Sequence, residues 1–330
     1  MSEIDFLSFG DITIDAFIRL KEADVHCNID RSRCEICLRF ADKIPFESVE
    51  VISAVGNSAN AAVAAVLLGL KSSLVSNVGD DQNGKECLGT LKKNGVSVDF
   101  VKIQKDRKTN YHYVLWYDDE RTILVKHEPY DYVLPSSLPL ARFAYLSSIG
   151  EGSENYHQEI AEFFKSNPEI KVTFQPGTLQ INLGTERLKE IYEKTFVFAC
   201  NIEEARRILK DESSPATGLL QKISALGPKI VLITDGPKGA YALNEGQAYS
   251  MPIYPDPKPP LERTGAGDAF ASTFTSALAL GRTFEEALLW APINPMSVVQ
   301  EVGAQKGLLT RERLTKYLAA APADYKPKKL

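Results

Sequence analysis

The chain is poor in most features that mark specialised classes of protein. Basic residues are not in excess: 38 Lys and Arg stand against 43 Asp and Glu, a formal net charge of −5. The basic footprint of a nucleic-acid binder, or of a protein held on anionic lipid, is therefore missing. No apolar run approaches the roughly 20 residues that a membrane-spanning helix requires; the longest, residues 59–70, is short and is broken by Gly69. Acidic Glu3 and Asp5 stand where a secretory signal is basic. The five cysteines are an odd number for a disulfide framework, which reads as reduced thiols in a cytoplasmic protein. No internal repeat or low-complexity tract is visible. A first strand runs into Gly10-Asp11-Ile12-Thr13 rather than a Gly-x-Gly-x-x-Gly turn opening a helix, which argues against a dinucleotide-binding oxidoreductase.

What is present is ordinary globular material, 330 residues with 44% apolar content, enough for one large α/β domain or two modest ones. Strand and helix signals alternate. Residues 4–9, 49–55, 72–78, 143–147, 170–174, 195–199 and 229–234 read as strands. Residues 58–68, 83–94, 154–166, 185–193 and 201–210 read as helices, several with a glycine stop. That rhythm predicts a mainly parallel sheet with helices on both faces and ligands beyond the carboxyl ends of the strands. Two stretches break it. Residues 12–46 and 108–128 lack long helical patterns; 111–117 and 122–125 alternate as strands, with a hairpin turn at Asp118-Asp119-Glu120. They predict a small β-rich unit inserted into an α/β domain formed by residues 1–11, 47–107 and 129–330. A loop with five prolines between Pro252 and Pro260 is a stiff lead into the glycine-rich segment behind it.

That segment is Glu262-Arg263-Thr264-Gly265-Ala266-Gly267-Asp268-Ala269-Phe270, opening a helix over about 268–280. Glycines just before a helix let backbone N–H groups converge, and the helix dipole adds positive potential, so Gly265, Ala266 and Gly267 can form an anion hole. Asp268 can accept a proton from an attacking hydroxyl. A plain glycine turn with Asp268 as helix cap explains the same residues.

Thr264-Gly265-Ala266-Gly267-Asp268, with Phe270, resembles the C-terminal signature of the ribokinase-like (PfkB) family of carbohydrate and nucleoside kinases, and other segments fall in that family's order across nearly the whole chain. The resemblance implies a three-layer α/β/α fold with a mainly parallel central sheet and an inserted β-sheet lid. It implies transfer of the γ-phosphate of ATP to a hydroxyl, Asp268 being the base. Gly10-Asp11-Ile12-Thr13-Ile14-Asp15 resembles the first strand and turn, with Asp15 on substrate hydroxyls. Val55-Gly56-Asn57-Ser58-Ala59-Asn60 resembles the N-terminal signature, so Gly56, Asn57 and Asn60 fall at substrate positions. Val55 replaces the first glycine of the usual pair, and Asn57 stands at a frequent lysine position. Asn201-Ile202-Glu203-Glu204 matches the Asn-x-x-Glu motif: Asn201 at the nucleotide, Glu204 toward Mg2+ through water. It is also a helix-capping pattern. Thr234-Asp235-Gly236-Pro237-Lys238-Gly239 resembles the segment beside the nucleotide, where Thr234, Gly236 and Gly239 allow close backbone approach. Asn294, ahead of Gly303-Ala304, falls near the adenine. Glu262 stands where the family carries an Asp tied to a monovalent cation such as K+, with an extra methylene that shifts the geometry.

The acceptor expected from this reading is a small free sugar, as in ribokinase or fructokinase, with a nucleoside as the alternative because Tyr111, Tyr113, Trp116 and Tyr117 can stack on a base. A non-catalytic sugar- or nucleotide-binding regulator is a third reading, against which every catalytic position is filled. His26, Cys27, Cys34 and Cys37 hold the minimum for a zinc site, weighed against free thiols in a small β-layer. His112 and His127 flank lid strands and could touch substrate, with a packing or surface role preferred; Arg121 and Lys126 could meet a phosphate on the substrate, with an exposed basic pair on a hairpin preferred. Exposed lid edges and the family likeness predict a homodimer through the lid.

Overall fold

The computed structural model describes residues 4–28, 34–118 and 120–330. Its main sheet has ten strands. From one edge to the other they are Lys328–Lys329, Gln247–Met251, Ala240–Asn244, Ile230–Thr234, Thr195–Asn201, Lys171–Phe174, Ala141–Leu146, Ile4–Phe9, Ser72–Gly79 and Ser97–Gln104. From Ser97–Gln104 to Ile230–Thr234 every neighbouring pair is parallel, and the remaining strands add antiparallel. Successive side chains along these strands enter two separate cores. Phe6, Tyr145 and Leu232 pack on one face against the helix Ala266–Ala279; Leu7, Leu146, Val231 and Ile233 pack on the other against Glu154–Ser166 and Ala216–Ser224. A sheet covered on both faces needs such continuous apolar strands, and the fold is the three-layer α/β/α arrangement expected from the alternation.

Most predicted elements recur within a residue or two. The exceptions have physical causes. The strand expected over 49–55 spans Phe46–Val55 and does not enter the main sheet; it pairs antiparallel with Thr13–Leu20. With Glu47 and Glu50 in its sequence and most of its length exposed, it cannot lie in a sheet buried on both faces. The helix expected over 185–193 is shortened to Lys189–Lys194, and Thr178–Leu183 forms another short helix before it.

The strand Phe46–Val55 belongs to a second sheet in the order Phe46–Val55, Thr13–Leu20, Asn110–Tyr117, Glu120–Leu124. Asp119, in the expected hairpin turn, lies outside the described residues; Tyr117 and Glu120 flank it as a cross-strand pair. Because side chains alternate along a strand, the register divides this sheet into two faces. Asp15 lies beside His112, and Phe17 beside Val114, which pairs with Ile123. The opposite face carries the row Val51, Ala16, Tyr113 and Leu124.

A third, two-stranded sheet pairs Asp24–Cys27 with Cys34–Cys37. Its register sets Cys27 directly opposite Cys34, and the two form a disulfide. The expectation of five reduced thiols is corrected for this pair; Cys37, Cys87 and Cys200 are free. A thiolate zinc site using both Cys27 and Cys34 is thereby ruled out, since a disulfide leaves neither sulfur as a thiolate.

The helix Ala266–Ala279 depends on its buried aromatic residues, and Phe274 is fully buried between sheet and helix layers. Phe274→Ala is expected to lower the unfolding free energy by about 3–5 kcal/mol. Urea denaturation checks this; a loss below about 1 kcal/mol would mean that the layer closes around the deletion.

Candidate active site

The carboxyl ends of the parallel strands open into one cavity of about 580 Å³. Asp11 follows the strand Ile4–Phe9, Ser148 and Gly150 follow Ala141–Leu146, and Gln175 follows Lys171–Phe174; Asn201 and Thr234 end their own strands. The inner face of the second sheet closes it from above with Thr13, Asp15, His112, Arg121 and Ile123. Gly56, Asn57 and Asn60, at the start of the helix Asn57–Leu67, complete that side, and Arg263, Thr264, Gly265, Gly267 and Asp268 line the other.

Asp268 sits in the first turn of Ala266–Ala279. Asn60 Nδ2 donates to its Oδ2 at 2.8 Å, and Gln175 Nε2 donates to Oδ1 at 3.0 Å. Neither amide is free to turn round. Gln175 Oε1 accepts the Tyr145 hydroxyl, and Asn60 Oδ1 accepts from Gln305 Nε2 at 2.9 Å. Burial raises the Asp268 carboxyl above the ordinary carboxylate range; the Asn60 and Gln175 donors, with Arg121 nearby, oppose that shift. The result is a desolvated carboxylate oriented by two fixed donors.

Gly265 caps the helix with φ +81, and a Cβ there would lie 2.3 Å from that of Ala304. The turn therefore needs glycine at this position. The N–H groups of the first helical turn have no partner inside the helix, and lining residues Gly265 and Gly267 set this end of the helix against the cavity.

Across the cavity, Asp15 Oδ1 faces His112 Nδ1 at 3.4 Å. Asp11 Oδ2 accepts from the Tyr132 hydroxyl and from Gly150 N, both at 2.7 Å, with His127 Nδ1 at 3.6 Å. The imidazole rings of His112 and His127 meet edge to face. These histidines, expected to be packing or surface residues, line the cavity. Arg121, expected to be exposed, points inward because its parity on Glu120–Leu124 is that of Ile123; Lys126 does remain outside, 2.8 Å from Glu128.

Asn201 and Glu204 form a reciprocal cap: Glu204 N donates to Asn201 Oδ1 and Asn201 N to Glu204 Oε2. Burial raises the Glu204 carboxyl. Thr234 lines the cavity, whereas Gly236 and Gly239 belong to the turn after its strand. Asn294 lies elsewhere. Fully buried, it donates to Thr273 Oγ1 at 2.7 Å and accepts from Leu309 N at 2.8 Å, so its side chain braces the core. Glu262 is also buried. Its Oε1 accepts from Thr264 N at 2.6 Å and from the Thr264 hydroxyl, and Arg121 Nε stands 3.6 Å away. Gln175, Tyr145 and Gln305 carry no signal in the sequence, because each acts through residues far away in the chain.

Residues 26–311 match the model of the pfkB family of carbohydrate kinases. The ribokinase of Bacillus subtilis (strain 168) is 29% identical over 269 residues, covering 80% of this chain and 87% of its own. Two solved structures share the fold with a TM-score of 0.78 and 20% identity. One is an Arabidopsis thaliana ribokinase complexed with ribose and ATP, covering 96% of this chain and 99% of the other. The other is a Methanocaldococcus jannaschii nucleoside kinase, covering 97% and 100%.

The tight approach at the glycine turn is testable. Gly265→Ala is expected to cost about 2–4 kcal/mol of stability through backbone strain and the Ala304 clash. Gly267→Ala, whose Cβ would meet nothing nearer than Gln175 Nε2 at 3.9 Å, should be nearly neutral. Equal effects in denaturant titrations would refute this account of the turn.

Proposed function

Because the chain belongs to the pfkB family of carbohydrate kinases, we propose that it transfers the γ-phosphate of ATP to a hydroxyl of a small sugar, with Asp268 as general base. The observation that carries this reading is the buried Asp268 carboxylate, oriented by Asn60 and Gln175 beside a glycine-built helix N-terminus.

In this mechanism the sugar lies under the small sheet, against Asp15, Asp11 and the turn at Gly56 and Asn57. An ionised carboxylate accepts hydrogen bonds from two hydroxyls in fixed geometry. Asp268 takes the proton of the attacking hydroxyl as its oxygen bonds to the γ-phosphorus and the bond to the ADP oxygen breaks. The amides of Gly265, Ala266 and Gly267 face the charge on the transferring group. Asn60 acts through Asp268 as a positioning residue. The phosphates would run past Asn201 and Thr234, with the Gly236–Gly239 turn alongside. Glu204 fits an outer-shell partner of Mg2+, being a cavity carboxylate whose charge burial disfavours until a cation is near. When bound, the ion would neutralise phosphate charge. Positioning and electrostatics are what phosphoryl transfer asks of a protein.

A sugar is favoured over a nucleoside by the parity of the strand Asn110–Tyr117. Tyr111, Tyr113 and Tyr117 share the face turned from the cavity, and Trp116 is packed with Phe17, Val114 and Val302. None is placed to stack on a base. The reading also takes the small sheet of Phe46–Val55, Thr13–Leu20, Asn110–Tyr117 and Glu120–Leu124 as a lid. Its exposed row of Val49, Val51, Tyr113 and Leu124 would meet a second copy in a homodimer, in the cytoplasm.

The test is ADP release from ATP and Mg2+ across D-ribose, D-fructose, adenosine and sugar phosphates. One strong responder among the free sugars is expected, and adenosine as the best acceptor would overturn the substrate assignment. Asp268→Asn should lower kcat by about 10²–10⁴-fold with nucleotide binding kept. Because the base must be ionised and its pKa is raised, the acid limb of kcat/KM should lie above the ordinary carboxylate range. Gln175→Leu removes a donor that favours the anion, so it should move that limb to higher pH. A limb unmoved by Gln175→Leu would count against Asp268 as the titrating group.

A further inference from the structure

Two consecutive residues of the small sheet face two consecutive residues of the loop that carries the anion hole. Arg121 Nε lies 3.6 Å from Glu262 Oε1, and Arg263 Nε lies 3.9 Å from Glu120 Oε1. The pairing is reciprocal: a Glu-Arg dipeptide on each side, each arginine reaching the other's glutamate. The inner member is buried, with Glu262 only 1% exposed and Arg121 about a quarter exposed. The outer member, at Glu120, is open to solvent.

Glu262 is the unusual partner. Its Oε1 holds the Thr264 N–H and hydroxyl, while Oε2 is buried without a hydrogen-bond partner among the described residues. Leaving a buried carboxylate oxygen without a donor is costly unless a cation stands nearby. The family resemblance puts a monovalent cation near this carboxylate, but that does not fit the residues present: a guanidinium already stands on it, and a guanidinium is charged at every accessible pH. Thr264 is followed directly by Gly265, so whatever fixes Glu262 also fixes the start of the anion hole.

We infer that Arg121 is a positioning residue that replaces the monovalent cation, neutralising Glu262 and so holding the loop Thr264 to Gly267 in register for transfer. The inference rests on the kinase reading and deepens it. Arg121 is delivered by the small sheet, so seating that sheet and completing the anion hole become one event. Glu120 and Arg263 set the register of the contact from the solvent side.

The test compares the full-length protein with Arg121→Gln in KCl and in choline chloride of equal ionic strength, using ADP release with the best acceptor of the panel and thermal melting without nucleotide. The wild type should give the same kcat and the same melting temperature in both salts. Arg121→Gln should lose roughly tenfold or more in kcat in choline, less than the loss of a direct transition-state donor, with little change in KM for ATP. KCl should restore part of that rate and raise the melting temperature of the variant alone. Wild-type stimulation by KCl as large as that of the variant, or a variant with wild-type kcat in choline, would overturn the inference. The solvent-side pair gives a second arm. Glu120→Arg and Arg263→Glu should each lower kcat and the double exchange should recover it; no recovery would also overturn it. A protein that releases no ADP with any acceptor overturns the kinase reading, and the salt dependence of melting then decides the role of Arg121 on its own.

Discussion

The site is organised around one constraint: a carboxylate held out of water must have donors that cannot turn away. Asp268 meets it with two amides whose other ends are occupied, Asn60 by Gln305 and Gln175 by Tyr145. A freely rotating amide would still favour presenting its N–H to the carboxylate, but it would not fix where that carboxylate lies. The two amides and the two residues that pin them come from four separate parts of the chain. Only a sheet that brings the ends of Ala141–Leu146 and Lys171–Phe174 beside the helices Asn57–Leu67 and Ala266–Ala279 can assemble them. The cost of burying charge is therefore borne by the architecture as a whole.

The small sheet follows from a simpler rule. Strand parity puts Asp15, His112, Arg121 and Ile123 on one face and Val51, Ala16, Tyr113 and Leu124 on the other. A slip of one residue would exchange the faces, placing tyrosines in the cavity and the Asp–His pair outside it. The chemical character of the cavity roof thus depends on register, and the parallel pairing of Thr13–Leu20 with Asn110–Tyr117 fixes that register over seven consecutive residue pairs.

Local patterns in the sequence made much of this legible. The alternation of apolar runs and capped helices carried the three-layer fold, and the glycine turn before Asp268 and the Asn201–Glu204 cap have the geometry their spacing implied. What stayed hidden was set by long-range pairing. Gln175 is one polar residue after a strand until Tyr145 and Asp268 are known to flank it. Arg121 looks exposed on a short hairpin until parity turns it inward. Asn294 falls near the expected adenine end in sequence, yet its amide serves Thr273 and Leu309 within the core. Cys27 and Cys34 form a pair only once the hairpin register sets them opposite each other. In each case the residue type was readable and its partner was not.

The charges of the cavity also have to be reconciled with a polyphosphate. Asp11, Asp15, Glu151, Glu204 and Asp268 outnumber Arg121 and Arg263 among its lining residues, so net charge alone would repel an anion. Two features offset this. The carboxylates are distributed, with Asp11 and Asp15 near the first strand and small sheet, while both arginines and the amide-bearing glycine turn belong to one end. The carboxylates are also partly neutralised in place: Asp11 by Tyr132 and Gly150, Asp268 by two amides, and Glu204 by the backbone N–H of Asn201. The helix N-terminus at the glycine turn adds fixed N–H dipoles at that end. The small sheet contributes both Asp15 and Arg121 to the cavity, so one structural unit carries charge of both signs into it.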